Sequence, residues 1–413
     1  MEKEKTNFYG LGIAPRIIDI LDKSNIRVPT PIQEKAIPVG LAGQDVIGIA
    51  QTGTGKTLAF AIPMLQRLAQ IKGKGLILVP TRELAIQVAE VYFKLGHTFG
   101  IKLAVLIGGA PMYRQLSALQ ARPRVIVATP GRLIDHLQQR TVSLNDVSVL
   151  VLDEADRMLD MGFAPQIETI LRSVPRERQT MLFSASIPNE IVRIASAHMK
   201  IPVSVEIAPS GTVSENVTQE IFIVKKEMKN KLLQKVLDQY KGSVLLFTRT
   251  KRGASRLTRT LRDMRYAASE IHSDKTLSQR REALEGFKAG KYRILVATDI
   301  AARGIDVHGI ELVINFDLPD DSENYTHRIG RTGRASYKGH AISFAMPDQK
   351  NEVRSIEKLI RIAVPISVVQ DISEKEFYAD RLATRSHGGW IERKTPLQSW
   401  RSRGRARKSY RIR

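Results

Sequence analysis

Val46-Ile-Gly-Ile-Ala50-Gln-Thr-Gly-Thr-Gly-Lys56-Thr57 is the stretch whose reading decides the fold. The apolar run Val46–Ala50 predicts a strand, and the amphipathic spacing from Phe60 to Ala69 predicts the helix that follows it. Between them, Gly53 and Gly55 let the backbone curl, so that the loop Ala50, Gln51, Thr52, Gly53, Thr54, Gly55 turns its N–H groups towards phosphate oxygens. Lys56 then reaches β- and γ-phosphates, and the Thr57 hydroxyl ligates Mg²⁺. Ala50 stands where this pattern has its first glycine.

Outward from that stretch, short apolar runs alternate with helical patterns. Strands are expected at Val46–Ala50, Gly75–Val79, Ala104–Ile107, Val125–Ala128, Val149–Leu152 and Thr180–Phe183, then at Ile221–Val224, Val244–Thr248, Arg293–Ala297, Leu312–Asn315 and Ala341–Phe344. Lys231 to Leu237 shows the same amphipathic spacing as the first helix. Continuous apolar strands of this kind suit parallel sheets covered on both faces, so the fold class is α/β, two tandem doubly wound parallel-sheet domains. The polar stretch Ala208–Val217 reads as the linker between residues 1–207 and 218–370. Residues 371–413 read as a basic tail without a core of its own.

Two further groups carry chemistry. Val149-Leu-Val-Leu-Asp153-Glu154-Ala-Asp156 ends an apolar strand in adjacent carboxylates. Beside a phosphate loop, Asp153 suits the Mg²⁺ shell and Glu154 suits the attacking water. Later, His327-Arg328-Ile-Gly-Arg331-Thr-Gly-Arg334 spaces three arginines three apart among glycines, which suits a polyphosphate. The second half has no Gly-Lys-Ser/Thr of its own, so the expected site is split between two tethered domains, and the triphosphate favours their closed arrangement.

Composition narrows the partner. The 413 residues hold 64 Lys+Arg against 42 Asp+Glu, a formal charge of +22, which favours nucleic acid over membrane. Residues 381–413 contain eleven Lys+Arg and one acid, Glu392, together with Trp390, Trp400 and Tyr410. Arginines interspersed with aromatics suit single-stranded nucleic acid; a solvated tail is the alternative. The chain has no cysteine, which excludes disulfides, thiolate metal sites and cysteine nucleophiles, and fits a reducing cytosol. No run approaches the length of a spanning helix, and MEKEKTNF lacks an apolar signal core, so a cytoplasmic location is expected.

These motifs, in this order, resemble the DEAD-box ATP-dependent RNA helicases over roughly residues 8–345, and the wording is most similar to the bacterial RhlE-type branch. The resemblance implies two RecA-like domains, ATP with Mg²⁺ as cofactors, and RNA-stimulated hydrolysis coupled to local, non-processive unwinding of RNA duplexes or RNA–protein complexes. Pro29-Thr-Pro-Ile-Gln33 resembles the Q motif, in which Gln33 reads adenine; Phe8 matches its upstream aromatic, while Asn25-Ile26 stands where Gly-Phe is usual. Pro80-Thr81-Arg82-Glu-Leu84, Gly108-Gly109 and Thr129-Pro-Gly131-Arg132 resemble the RNA-backbone loops. Ser184-Ala-Ser186 resembles the Ser-Ala-Thr coupling motif. In the second half, Leu246-Phe-Thr-Arg249-Thr250 is similar to motif IV, and His272 to Arg280 to the Gln-x-x-Arg segment, with Leu277 replacing Gln. Ala297-Thr298-Asp-Ile-Ala-Ala-Arg303-Gly304-Ile-Asp306 resembles motif V, whose Thr298 and Arg303 touch RNA and whose Gly304 and Asp306 lie near ribose. The family makes Arg331 and Arg334 the γ-phosphate fingers, with His327 and Arg328 supporting interdomain contacts.

Contacts of this type go to phosphate and 2′-hydroxyl groups, so RNA is gripped with little sequence preference. Ribosomal or RNA-decay proteins are candidate partners. Two other readings stay open: an annealing module dominated by the basic tail, and a DNA-dependent motor of the same fold.

Overall fold

The computed structural model describes residues 7–51, 53–207, 217–302, 310–333 and 338–366. The chain divides into two compact units: residues 1–212 with 271–285 and 300–306, and residues 213–270 with 286–299 and 307–413. The linker read at 208–217 falls outside the described residues except for Val217, which opens a strand, and the tail at 371–413 lies outside them entirely.

In the first unit, β1 (Val46–Ile49), β2 (Lys74–Leu78), β3 (Leu103–Leu106), β4 (Val125–Ala128), β5 (Val147–Asp153), β6 (Gln179–Ser184) and β7 (Val203–Glu206) form one parallel sheet in the order β3-β4-β2-β5-β6-β1-β7. Its strands read as unbroken apolar runs because successive side chains feed different cores. Val149 and Val151 join one buried cluster, while Leu150 and Leu152 join the cluster on the opposite face. The sequence reading missed β7. That edge strand runs Val-Ser-Val-Glu with only Val205 buried, so it lacks the apolar run that marks the others.

Register decides what the strands present at their carboxyl ends. Ile49 pairs with Ser184 and Asp153 with Phe183, so the ends of β1, β6 and β5 lie side by side. Leu78 and Leu106 both pair with Ala128, which brings the ends of β2, β4 and β3 level along the remainder of that edge. Ligands of open α/β sheets bind beyond this edge.

In the second unit, β8 (Val217–Ile223), β9 (Val244–Phe247), β10 (Ala268–Ile271), β11 (Ile294–Ala297), β12 (Leu312–Asn315) and β13 (Gly339–Ala345) are ordered β10-β11-β9-β12-β13-β8. Phe247 pairs with both Ala297 and Asn315, aligning three carboxyl ends. The reading also missed β10, whose Ala-Ser-Glu-Ile is half polar. No helix among the described residues is long and apolar enough to cross a membrane.

Close packing sets the β1–β6 register. Gly48 faces Phe183 across the pair, and a Cβ on Gly48 would sit 2.4 Å from that fully buried ring. Phe183 in turn packs against Phe60 of the helix Lys56–Gln70, with ring centroids 5.5 Å apart. Gly48→Ala overfills this contact and is expected to cost the first unit about 1–3 kcal/mol. Urea unfolding followed by circular dichroism checks it, and Phe183→Leu in the same chain should restore part of the loss.

Candidate nucleotide and RNA site

The loop after β1 is shaped by two residues in left-handed backbone, Gly53 (φ 87°) and Gly55 (φ 90°). Gly55 also serves as N-cap of the helix Lys56–Gln70, and no side chain caps its first turn. Those N–H groups and the helix dipole favour an anion, which is the property a phosphate needs. A Cβ on Gly55 would lie 2.3 Å from Gln33 Nε2, so the loop closes only around glycine.

Gln33 is brought there by helix packing. Gly40 allows the helix Pro31–Leu41 to approach Pro63, where a Cβ would come within 2.8 Å. The Gln33 carboxamide then accepts from the Thr30 backbone N–H (2.9 Å) and donates to the Gly55 carbonyl (3.0 Å). One N–H and one lone pair remain for a base. Asn25 holds a left-handed φ of 57°, a conformation asparagine tolerates better than most residues where glycine is usual.

Lys56 is buried and donates from Nζ to the Ala50 carbonyl (2.9 Å), while the Thr54 hydroxyl donates to the Gln51 carbonyl (2.7 Å). Asp153 ends β5 beside this loop. Burial pushes its carboxyl up to about 7; the nearby Lys56 ammonium pulls it down and Glu154 pushes it further up. Glu154 follows in left-handed backbone (φ 51°, ψ 49°), an uncommon state for a non-glycine residue. Its carboxylate pairs with Arg157 at 2.9 Å, both side chains buried. Arg157 went unnoticed in the sequence reading, although a basic residue three positions after Glu154 is the signal that could have found it.

Asp156 ties this segment to the loop after β6. Its Oδ2 accepts from the backbone N–H groups of Ala185 and Ser186, both at 3.0 Å, and from the Ser186 hydroxyl at 3.2 Å. In return, Asp156 N–H donates to the Ser184 hydroxyl at 3.2 Å. Among the described residues no group of three or more His, Cys, Asp or Glu could hold a metal. The donor set instead suits Mg²⁺, an ion that needs few protein oxygens; Asp153 and Thr57 would hold it.

The other half of the edge is also cross-linked. Thr81 caps the helix Arg82–Gly96 by accepting from Leu84 N–H. Arg82 lies under the Gly108–Gly109 turn, where a Cβ on Gly109 would meet its Nη1 at 2.3 Å. Arg132, at the start of the helix Pro130–Gln138 behind Thr129 and Gly131, donates from Nη1 to the Ala110 carbonyl at 3.2 Å. Gln115, missed in the sequence, is buried and holds Ile107 N–H (3.1 Å), the Ile107 carbonyl (3.2 Å) and the Ala110 carbonyl (3.1 Å). Arg82 and Arg132 thus both border the Gly108–Ala110 turn and form one platform with it.

The sequence matches the DEAD/DEAH box helicase model over residues 30–194 and the helicase conserved C-terminal domain over 228–336. It is 45% identical over 357 residues to the ATP-dependent RNA helicase CshA of Listeria monocytogenes, covering 86% of this chain and 68% of that one. The chain belongs to the DEAD-box ATP-dependent RNA helicases. CshA of Bacillus subtilis is similar at 44% over 354 residues, covering 85% of this chain and 72% of that one. Solved relatives include Dbp5 of Saccharomyces cerevisiae bound to RNA and ADP BeF3 (TM-score 0.78, 30% identity, 86% of this chain and 94% of that one) and Mss116p bound to ssRNA and AMP-PNP (0.83, 28%, 92% and 83%). Both units of this helicase are therefore RecA-like. The relatives compared are CshA helicases, so the RhlE-type branch finds no support among them.

Two expectations about the DEAD-box residues change. Phe8 is 2% exposed within the first hydrophobic cluster, so its ring has no open face to offer a base; burial is where a benzyl group gains most. Arg328, one of the three arginines read as suiting a polyphosphate, has its donors taken up inside the second unit. It pairs bidentately with Asp299 (2.5 and 2.7 Å), donates to Asn315 Oδ1 (3.2 Å) and the Asp317 carbonyl (2.6 Å), and lies over the Phe247 ring. Arg331 is buried just past the helix Ser322–Ile329, which carries His327 half-buried. Thr298 follows β11, and Arg249 follows β9 with Nε 3.0 Å from Asp320. Thr52, Arg303, Gly304, Asp306 and Arg334 lie outside the described residues.

A raised Asp153 pKa has a signed consequence. The folded helicase keeps a proton that the unfolded chain releases near pH 4, so stability without nucleotide falls as pH rises towards about 7 and then levels. Asp153→Asn should flatten that slope in urea midpoints taken across the window; an unchanged slope would refute the assignment.

Proposed function

We propose that the chain couples RNA-stimulated ATP hydrolysis to local, non-processive opening of RNA duplexes and RNA–protein complexes. The observation that best supports this is the carboxyl edge of the first sheet, where one register aligns the phosphate loop, Asp153–Glu154 and Ser184–Ser186 with three loops built around arginine and glycine. The backbone curl from Ala50 to Thr57, with Thr52, holds the phosphates, and Lys56 meets their charge. Mg²⁺, held by Thr57 and Asp153, would neutralise charge on the β- and γ-oxygens. Glu154 orients water and takes its proton as the water oxygen attacks γ-phosphorus, and the bond to the ADP oxygen breaks. Arg331 and Arg334 neutralise charge on the γ-phosphate. Gly304 and Asp306 address ribose, and Gln33 the base.

RNA is proposed to lie on its backbone along Pro80, Thr81, Arg82, Gly109, Thr129, Gly131 and Arg132 of the first domain (1–207), and along Arg249, Thr298 and Arg303 of the second (218–370). Backbone contact explains little sequence preference. The likeness to CshA helicases favours a CshA-like role over an RhlE-like one, in the cytoplasm, with ribosomal or RNA-decay proteins as candidate partners.

The deciding experiment is steady-state ATP hydrolysis with single-stranded RNA, with DNA, and with neither. RNA alone is expected to stimulate, and equal stimulation by DNA would point to the DNA motor. Glu154→Gln should lower turnover at least about 100-fold while ATP-dependent retention of RNA persists. Hydrolysis at the wild-type rate would remove Glu154 from its role. Truncating residues 381–413, which carry eleven Lys+Arg, should weaken RNA binding and flatten its salt dependence, with stimulation recovered at higher RNA concentration.

A further inference from the structure

Tyr113 is exposed to 66% on the first turn of the helix Met112–Gln120, four residues after Gly109. Among the described residues Tyr9 and Phe93 expose aromatic surface to a similar degree, and at Tyr113 it adjoins the platform formed by Arg82, the Gly108–Gly109 turn and Arg132. The following residue completes the feature. Arg114 is exposed, donates from Nε to the Tyr113 hydroxyl at 3.1 Å and places its guanidinium 5.8 Å from the ring centroid. Tyrosine and guanidinium together present an aromatic surface with a cation beside it.

The surface is held in place from below. Two residues on from Tyr113, the buried Gln115 is bonded to the backbone of Ile107 and Ala110, so the first turn of this helix moves with the glycine turn. His136 Nε2 backs the same carboxamide at 3.4 Å from Gln115 Oε1, and its Nδ1 is 2.7 Å from the Thr141 hydroxyl. An exposed side chain on a pinned turn loses little conformational freedom when a ligand covers it.

We propose that Tyr113, with Arg114 beside it, is a stacking shelf for one unpaired nucleobase of the RNA whose backbone lies on the adjoining platform. The inference rests on the RNA reading of those loops. Aromatic rings next to a cationic backbone track take bases of any identity, because every base has a π-face. The shelf therefore keeps sequence tolerance and adds a different discrimination: a base inside a duplex has both faces covered by its neighbours and cannot use it. At this position the enzyme prefers a strand already peeled from its partner.

The test scans short single-stranded RNAs carrying one 2-aminopurine at successive positions and measures its fluorescence with wild type, Tyr113→Phe and Tyr113→Ala. Wild type and Tyr113→Phe should quench one position, and Tyr113→Ala should lose that quenching. Tyr113→Ala should also raise the RNA concentration for half-maximal ATPase stimulation about 5- to 150-fold, the usual range for loss of one stacked base. The slope of that constant against salt should stay as in wild type, since no phosphate contact is removed. Stimulation of wild type by RNA, with Tyr113→Ala within twofold of it and quenching retained, would overturn the shelf alone. A wild type neither stimulated nor quenched by any RNA would overturn the RNA reading and the shelf together. A salt slope reduced in Tyr113→Ala would also refute stacking, because it would show that the lost contact was to phosphate.

Discussion

The ring of Phe183 occupies the space that a side chain on Gly48 would need, and β1 and β6 settle their register around it. From that register follows the level alignment of Ile49 with Ser184 and, through β5, of Asp153 with Phe183. The phosphate loop lies about a hundred residues from the paired carboxylates, and the serine loop about thirty residues beyond those, so none selects its neighbours locally. A one-residue slip would move every side chain of the strand to the opposite face, and a two-residue slip would set a side chain where Gly48 leaves room for the Phe183 ring, so that contact makes the register unambiguous. A core contact thereby fixes the geometry of a hydrolytic site.

Above that frame, polar bonding replaces packing. Asp156 holds the Ala185–Ser186 backbone and hydroxyl with one carboxylate oxygen, while its own N–H leans on Ser184. Arg157 holds Glu154 in a left-handed conformation that costs on the order of 1–3 kcal/mol. Adjacent residues of one tetrapeptide and its successor thus act on different loops. Hydrogen bonds of ordinary length join Asp156 to the Ser184–Ser186 loop.

How much of this was legible depended on distance along the chain. Runs such as Leu150–Leu152 announced themselves because both faces of their strand are covered, and the phosphate loop because its glycines and Lys-Thr are consecutive. Edge strand β7 and half-polar β10 lacked that signature. The carboxylate of Asp156 could be seen, but not its partners thirty residues away. Gln115 looked like any helix glutamine until its carboxamide was found on Ile107 and Ala110. Arg328 misled for the opposite reason. It sits in an arginine-rich motif that suggests a ligand, yet Asp299, Asn315 and Asp317 absorb its donors inside one unit.

Gln33 bridges the Thr30 N–H and the Gly55 carbonyl with a single amide group. On the proposed function, the carboxamide that addresses the base would therefore also brace the turn that holds the phosphates. Base preference and phosphate affinity are consequently not separate traits open to independent selection. A lineage that exchanged residue 33 to accept another nucleobase would loosen its triphosphate grip in the same step, and would need a compensating change beside Gly55 before the new preference became useful.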